Sequence, residues 1–90
     1  MVAASKVKGT NVYSRSGQPL GWIYDVMLDK DSGRVTYAVM SFGGFLGLGE
    51  KYHPVAWDRL AYSKAYGGYV VDLDKHVLKK TPAYSYLRYM

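Results

Sequence analysis

The glycine-rich segment at residues 43–49 is the stretch whose composition most suggests ligand chemistry. Gly44 and Gly49 have the spacing of a phosphate-binding loop, in which bare backbone amides bind phosphate at the start of a helix. Glu50 stands where that loop needs a lysine, and the apolar run before the glycines leads to another predicted strand rather than to a helix. The segment therefore predicts no nucleotide site.

The aspartates near residue 30 resemble the start of a calcium-binding loop. After Asp29 and Asp31, that loop would need glycine where Arg34 stands and glutamate where Met40 stands. The calcium pattern therefore fails. We expect residues 31–33 to form a turn instead, because short polar side chains bond to nearby backbone amides and glycine accepts unusual dihedral angles.

Asp72 and Asp74 form a second candidate pair. They are two residues apart, so on a strand they would point to one face, with the spacing of a general acid and base. A structural interpretation is favoured, in which Asp74 caps a short helix that runs through Lys80 and Asp72 pairs with a lysine. Pro82 then ends the helix, since proline has no N–H to donate.

The remaining candidates for chemistry are two histidines and one serine. His53 and His76 match no spacing of metal ligands, and the chain has no cysteine. Ser41 lacks the first glycine of a nucleophile elbow, and no helix is predicted after it. We therefore expect no catalytic residue, no bound metal and no cofactor, and we predict that the protein is not an enzyme.

Length and composition indicate a single domain over residues 1–90. A chain of 90 residues lies in the lower part of the size range of independent domains. Its composition is 49% hydrophobic without any cysteine, so apolar packing must stabilise the fold without disulfides. The lack of cysteine suits a reducing compartment, and we expect a cytoplasmic location.

The net charge of +5 raises nucleic acid, anionic lipid or an acidic protein as partners. Both halves of the chain carry the excess, and Lys79 and Lys80 are the two basic residues that adjoin. No basic stripe is visible, so nucleic acid is possible but not favoured as a partner. The longest uncharged stretch, residues 35–49, is broken by four glycines and predicts no transmembrane segment.

Ten tyrosines, ten glycines and short apolar runs between turn signals favour an all-β fold. The turn signals lie at residues 16–17, 29–33 and 67–68, where the glycine pair supplies the positive φ angles of a tight hairpin. Six strands at this spacing predict a small β-barrel, followed by the short C-terminal helix. The apolar runs are residues 11–14, 20–28, 34–42, 51–57, 60–66 and 69–73.

Periodicity predicts which strands have buried faces. In the second run apolar residues alternate from residue 20 to residue 28, which predicts one core face. The third run has apolar residues at both odd and even positions, which predicts a central strand covered on both faces. Pro54 in the fourth run predicts an edge strand or a bulge there. Trp22 and Trp57 are assigned mainly to the core. The predicted interior comprises Leu20, Trp22, Tyr24, Val26, Leu28, Val35 and Val39.

Three segments carry a resemblance to a known family. They are DKDSGRVTYAVMSFGGFLGLGEK at residues 29–51, HPVAW at residues 53–57 and GGYVVDLDK at residues 67–75. Together they resemble the PRC-barrel domain, with a core over about residues 6–84. The resemblance implies a small, strongly bent six-stranded β-barrel. Relatives in the photosynthetic reaction centre H subunit and in a ribosomal small-subunit maturation factor imply roles in assembly and protein contacts.

We therefore predict a non-catalytic protein-interaction module that forms a homodimer. The predicted contact residues are large apolar side chains in the glycine-rich loop and in the C-terminal tail, where solvent would normally favour polar ones. Two alternatives stay open: an RNA- or ribosome-associated assembly factor, and an accessory to a membrane complex. The predicted contact residues are Phe45, Leu46, Leu48, Tyr86 and Leu87.

Overall fold

The computed structural model describes residues 1–45 and 48–80, with side chains described for residues 1–43 and 51–78. The six predicted strands and the helix after Asp74 are present, and a short N-terminal helix and a 3-10 turn are added. No helix among the described residues is long and apolar enough to cross a bilayer. The elements are α1 (Ala4–Val7), β1 (Asn11–Ser14), β2 (Pro19–Leu28), β3 (Val35–Phe45), β4 (Leu48–Ala56), a 3-10 turn (Trp57–Arg59), β5 (Ala61–Ser63), β6 (Gly68–Val71) and α2 (Lys75–Lys80).

The six strands form one mixed sheet in the order β4-β3-β2-β1-β6-β5. β1 and β6 pair in parallel, and the other neighbours are antiparallel. β4, which contains Pro54, is an edge strand as predicted. In the described part of the chain no ladder joins β4 to β5, so the sheet is open there. A mostly-β fold with a short helix is thus confirmed, whereas closure into a barrel is not.

The side-chain alternation predicted for β2 is wrong along most of the strand. Leu20 is buried as expected, but Trp22 is 36% exposed and Leu28 is 58% exposed. Ile23, which the alternation assigned to the opposite face, is fully buried. Among the other residues predicted to be interior, Val39 is buried, whereas Tyr24, Val26 and Val35 are half-buried.

Bulges in β2 are the physical reason for this difference. β1 pairs with Pro19 and Gly21 of β2 at consecutive positions, so Leu20 between them is an extra residue on β2. β3 pairs with Ile23 and Asp25 at consecutive positions, so Tyr24 is an extra residue in the same way. Because each extra residue exchanges the two faces of the strand, a strict period of two cannot hold from residue 20 to residue 28.

The core lies on both sides of β3, as the apolar residues on both parities predicted. Residues 38–42 are all buried, although neighbouring residues of a strand point to opposite faces. α2 contributes Leu78 and α1 contributes Val7, so both helices pack against the sheet. The core comprises Val7, Val12, Leu20, Ile23, Ala38, Met40, Phe42, Val55, Tyr69, Val71 and Leu78.

The turn between β2 and β3 is built as predicted for residues 31–33. The carboxylate of Asp29 accepts hydrogen bonds from the backbone amides of Asp31 at 2.8 Å and of Ser32 at 3.1 Å. Gly33 has a φ of 74°, which favours glycine. The aspartate of this turn thus organises the backbone.

The hairpin between β5 and β6 is present, but its turn is not the predicted glycine pair. Ser63 pairs with Gly68, so the turn is formed by residues 64–67. Gly67 has a φ of 67°, whereas Gly68 belongs to β6. A Cβ atom on Gly68 would overlap the backbone oxygen of Asn11 on β1. Gly68 is therefore required for a close approach between strands, not for a positive φ angle.

Asp74 caps α2 as predicted. Its Oδ1 accepts a hydrogen bond from the backbone amide of Val77 at 2.9 Å, which satisfies one of the free donors of the first turn. The helix ends at Lys80. Pro82, which was predicted to end it, lies outside the described residues.

Candidate functional site

The predicted contact residues fall largely outside the described part of the structure. β3 ends at Phe45, β4 begins at Leu48, and these two residues pair in an antiparallel hairpin. The backbone thus brings them together, and the segment leads from strand to strand rather than into a helix. The side chains of Phe45 and Leu48, and the whole of Leu46, Tyr86 and Leu87, lie outside the described residues. Their contact with a partner stays a prediction.

A row of aromatic side chains lies on one face of β2, β3 and β4. Trp22 pairs with Ser41, and Ser41 pairs with Tyr52, so the three residues form one row across the sheet. The ring of Tyr24 lies 5.7 Å from that of Trp22 and 4.7 Å from that of Tyr52. We call Trp22, Tyr24 and Tyr52 the aromatic face.

The aromatic face closes over the central strand. β2 and β4 are two strand spacings apart, roughly 9.5 Å, yet the rings of Tyr24 and Tyr52 meet, so the two rings lean over β3. Ser41 beneath them is completely buried and is small enough to leave the rings room. Trp22 keeps 36% of its surface exposed, which leaves an apolar ring in contact with solvent.

The alternation along residues 20–28 assigns Trp22 and Tyr24 to the core, so the aromatic face was not predicted from the sequence. The available signal was Ser41, a small polar residue within the otherwise apolar run of β3. Trp57, assigned to the core in the same way, is half-buried and packs against it as expected. The two tryptophans therefore have different environments.

A second aromatic cluster lines a pocket between the N-terminal segment and the β5–β6 hairpin. The rings of Tyr62 and Tyr69 meet edge to face at 5.5 Å, and Tyr69 also contacts Trp57 at 5.8 Å. The pocket has a volume of about 540 Å³, and its described lining comes from residues 1–10 and 62–69. Burial, and then the neighbouring Tyr62, raise the pKa of Tyr69 above its usual 10.0. Its phenol therefore stays protonated to a higher pH than that of an ordinary tyrosine and can donate a hydrogen bond.

His53 lies on β4 opposite Met40, with its ring edge-on to Phe42 at 6.2 Å. Its Nδ1 atom is buried and has no hydrogen-bond partner among the residues that the structure describes. Burial, and then the positive charge of Arg59, hold the pKa of His53 below its usual 6.5. The folded state therefore favours the neutral imidazole.

This environment makes stability depend on pH below the usual pKa of histidine, 6.5. Because the pKa of His53 is lowered on folding, the unfolded state binds the proton first, and stability present above pH 6.5 is lost as the pH falls. We expect urea unfolding to show this decline in the wild type and a flatter profile for His53→Gln. The control is His76→Gln, on the exposed face of α2, which should leave the profile unchanged. If the free energy of unfolding falls equally with pH in the wild type and in His53→Gln, a group other than His53 causes the pH dependence.

Asp72 and Asp74 have separate structural roles. Arg59 donates to the Oδ1 atom of Asp72 from Nη2 at 2.7 Å and from Nε at 3.2 Å. This hydrogen bond is the main reason that the pKa of Asp72 lies below its usual 3.8. The predicted lysine partner is therefore wrong, because the 3-10 turn brings Arg59 to Asp72 across the fold. Asp74 is engaged as the cap of α2.

Among the side chains described, those of residues 1–43 and 51–78, no three histidine, cysteine or acidic groups lie together as a possible metal-binding group. Ser41, considered as a nucleophile, is buried in the middle of β3. What the described residues do present is apolar and aromatic surface. Trp22, Leu28, Tyr62 and Tyr66 are all at least 36% exposed.

Comparison with known protein families identifies a match over most of the chain. The family model described as PRC-barrel domain covers residues 1–78. The match includes all six strands and α2 as far as Leu78. None of the curated proteins compared with the chain matches it.

Proposed function

Because this chain belongs to the PRC-barrel domain family, we propose that it is a non-catalytic module that binds a protein partner and associates with a second copy of itself. The observation that carries this proposal is the aromatic face, where Trp22 is 36% exposed beside Tyr24 and Tyr52. Tryptophan and tyrosine are enriched among the residues that dominate binding energy in protein interfaces. Their rings here are held by the sheet, so little conformational entropy is lost on binding.

The proposed self-association surface extends from the aromatic face to the end of the β3–β4 hairpin. Phe45 and Leu48 are paired in the same β3–β4 ladder, four residues beyond Ser41 and Tyr52. Burying a large apolar side chain against a partner stabilises by about 1.5–3 kcal/mol, and two-fold dimers are the commonest closed assembly. Leu46, Tyr86 and Leu87 complete the proposed surface on the basis of the sequence.

Two further features belong to this proposal. We take the sheet to form the small barrel that the family name implies, supported by the bulges at Leu20 and Tyr24, since bulges increase twist and bend a strand. We also take the cytoplasm as its location, supported by the absence of cysteine from the 90 residues.

Sedimentation equilibrium tests the self-association. We expect the wild type to reach about twice its 10.1 kDa mass at high micromolar concentration. Trp22→Ser, and Phe45→Ser combined with Leu48→Ser, should shift the equilibrium to the monomer while far-ultraviolet circular dichroism stays unchanged. Leu28→Ser is the matched control, because Leu28 is 58% exposed on β2 but is not part of the proposed surface. A monomeric wild type, or variants that dimerise like the wild type, would contradict the proposal.

An RNA-associated assembly role is the second candidate, and the net charge of +5 supports it. Salt separates the two functions, because phosphate contacts lose affinity steeply as salt rises, whereas apolar docking is nearly indifferent to it. We expect the dimer to persist between 50 and 500 mM sodium chloride, as checked by sedimentation at both concentrations. Tight, salt-sensitive binding of an RNA oligonucleotide by a monomeric protein would favour the second candidate.

A further inference from the structure

The pocket beside α1 combines apolar walls with positive charge; we call it the N-terminal pocket. Its walls include Val7, Tyr62 and Tyr69, and its rim includes Met1 and Val2. Tyr62 is 60% exposed and Val2 is 62% exposed, so apolar surface is open to solvent around the pocket. At about 540 Å³, the volume lies within the usual range of ligand sites, roughly 300–1,000 Å³. One large side chain of a partner would fit.

The charge of the two segments that build the pocket has one sign. Residues 1–10 contain Lys6 and Lys8 and no acidic residue. Residues 62–69 contain Lys64 and again no acidic residue. Of the described residues that line the pocket, Lys6 carries a charge. The positive charge of Lys6 at the pocket complements an anionic ligand.

We propose that the N-terminal pocket binds an acidic peptide segment of a partner protein, with a large apolar side chain between Val7 and the rings of Tyr62 and Tyr69. Flanking carboxylates of the peptide pair with Lys6 and accept hydrogen bonds from the tyrosine hydroxyls. The proposal rests on the proposed function in one respect, that the partner is a protein. It concerns a surface separate from the aromatic face, built from α1 and the residues beside it, β5 and β6.

Two other occupants of the N-terminal pocket, the chain's own C-terminal segment and a nucleic acid strand, complement it less well than an acidic peptide. The chain's own C-terminal segment, residues 81–90, contains Arg88 and no acidic residue, so its side chains do not complement Lys6. A nucleic acid strand needs a track of cations along its backbone and flat rings for stacking. The N-terminal pocket offers one lining lysine and the apolar side chains of Val7 and Met1, which suit an apolar side chain between two carboxylates.

Nitrogen–proton correlation spectra of the full chain test the proposal. The probe is the peptide acetyl-EDFDE-amide, titrated to millimolar concentration. We expect saturable shifts of the amide signals of Lys6, Thr10, Gly67 and Tyr69, which lie in or next to the described lining. The peptides QNFNQ, which lacks the charge, and EDSDE, which lacks the apolar side chain, should each bind about tenfold more weakly or not at all.

Matched protein variants assign the binding to the pocket. We expect Lys6→Glu and Tyr62→Ser each to weaken the peptide about tenfold or more. Lys30→Glu makes the same change in net charge at the exposed β2–β3 turn and should leave the affinity unchanged. If Lys6→Glu and Lys30→Glu lower the affinity for the peptide equally, the loss arises from net charge alone, and the proposal that the peptide binds in the N-terminal pocket is wrong.

The remaining outcomes are also decisive. Absence of saturable shifts, or shifts confined to other residues, overturns the proposal. Tighter binding of an oligouridylate to the same amides assigns the pocket to nucleic acid instead. If the peptide binds a protein that sediments as a monomer, the pocket stands and the proposed self-association fails. If the dimer forms but no peptide binds, the pocket fails and the proposed function stands.

Discussion

Replacing Ile23 with alanine is expected to lower the free energy of unfolding by about 2–5 kcal/mol. Ile23 is completely buried in β2, opposite the equally buried Met40. Truncation removes apolar contacts and leaves a cavity that the surrounding strands can close only in part. Urea denaturation at pH 7.5, above the usual pKa of histidine, measures the change with little contribution from protonation of His53.

Leu28→Ala is the matched control for this substitution. Both residues are large, aliphatic and on β2, but Leu28 is 58% exposed, so we expect its truncation to change the free energy of unfolding by no more than about 0.5 kcal/mol. Simple alternation would give the opposite order, because it puts Leu28 inside and Ile23 outside. A larger loss for Leu28→Ala than for Ile23→Ala would therefore contradict the bulged register of β2.

The substitution Gly21→Ala should destabilise the protein by about 3 kcal/mol, the upper end of the usual cost of an overpacked site. A Cβ atom on Gly21 would overlap the backbone oxygen of Ser41 and would lie 3.2 Å from the Cα atom of Phe42. These are backbone atoms of β3, which cannot rotate away as a flexible side chain would. β2 and β3 would have to separate at the Gly21–Phe42 pair, beside the row that carries the aromatic face.

Gly33→Ala separates this steric effect from a simple loss of glycine. Nothing lies within 4 Å of the Cβ position of Gly33, but its φ of 74° disfavours any side chain. We expect a loss of about 1 kcal/mol from the backbone conformation alone. In both thermal and urea unfolding, Gly21→Ala should be the least stable protein, Gly33→Ala intermediate and the wild type the most stable. Equal effects at the two glycines would show that β2 and β3 can relax around an added Cβ atom.

The positions of strands, turns and the C-terminal helix followed from the sequence because they depend on neighbouring residues. Asp29 bonds to amides two and three residues ahead, and Asp74 caps the helix that begins with the next residue. Pro54 cannot donate to a ladder, which favours an edge strand wherever it occurs. Residues 38–42 are apolar or small at every position, and that pattern alone indicated a central strand.

The candidate site was predicted less completely. The sequence drew attention to the hairpin end through Phe45 and Leu48, and the backbone pairs these two residues. The residues of the aromatic face on β2 were assigned to the core, because an exposed tryptophan and a buried one fit the same alternating pattern of apolar and polar residues. The N-terminal pocket had no sequence signal, since residues 1–10 and 62–69 lie far apart along the chain.

Local chemistry, acting over two to four residues, therefore determined the elements of this protein from its sequence alone. Only the tertiary structure decided which faces those elements bury, because a bulge such as that at Tyr24 arises from pairing with another strand and reverses the faces beyond it. The same holds for Gly68, whose hydrogen makes room for the backbone of Asn11, and for Asp72, whose partner is Arg59. Each of these contacts depends on the register between segments that are distant in sequence, and residue type by itself does not encode that register.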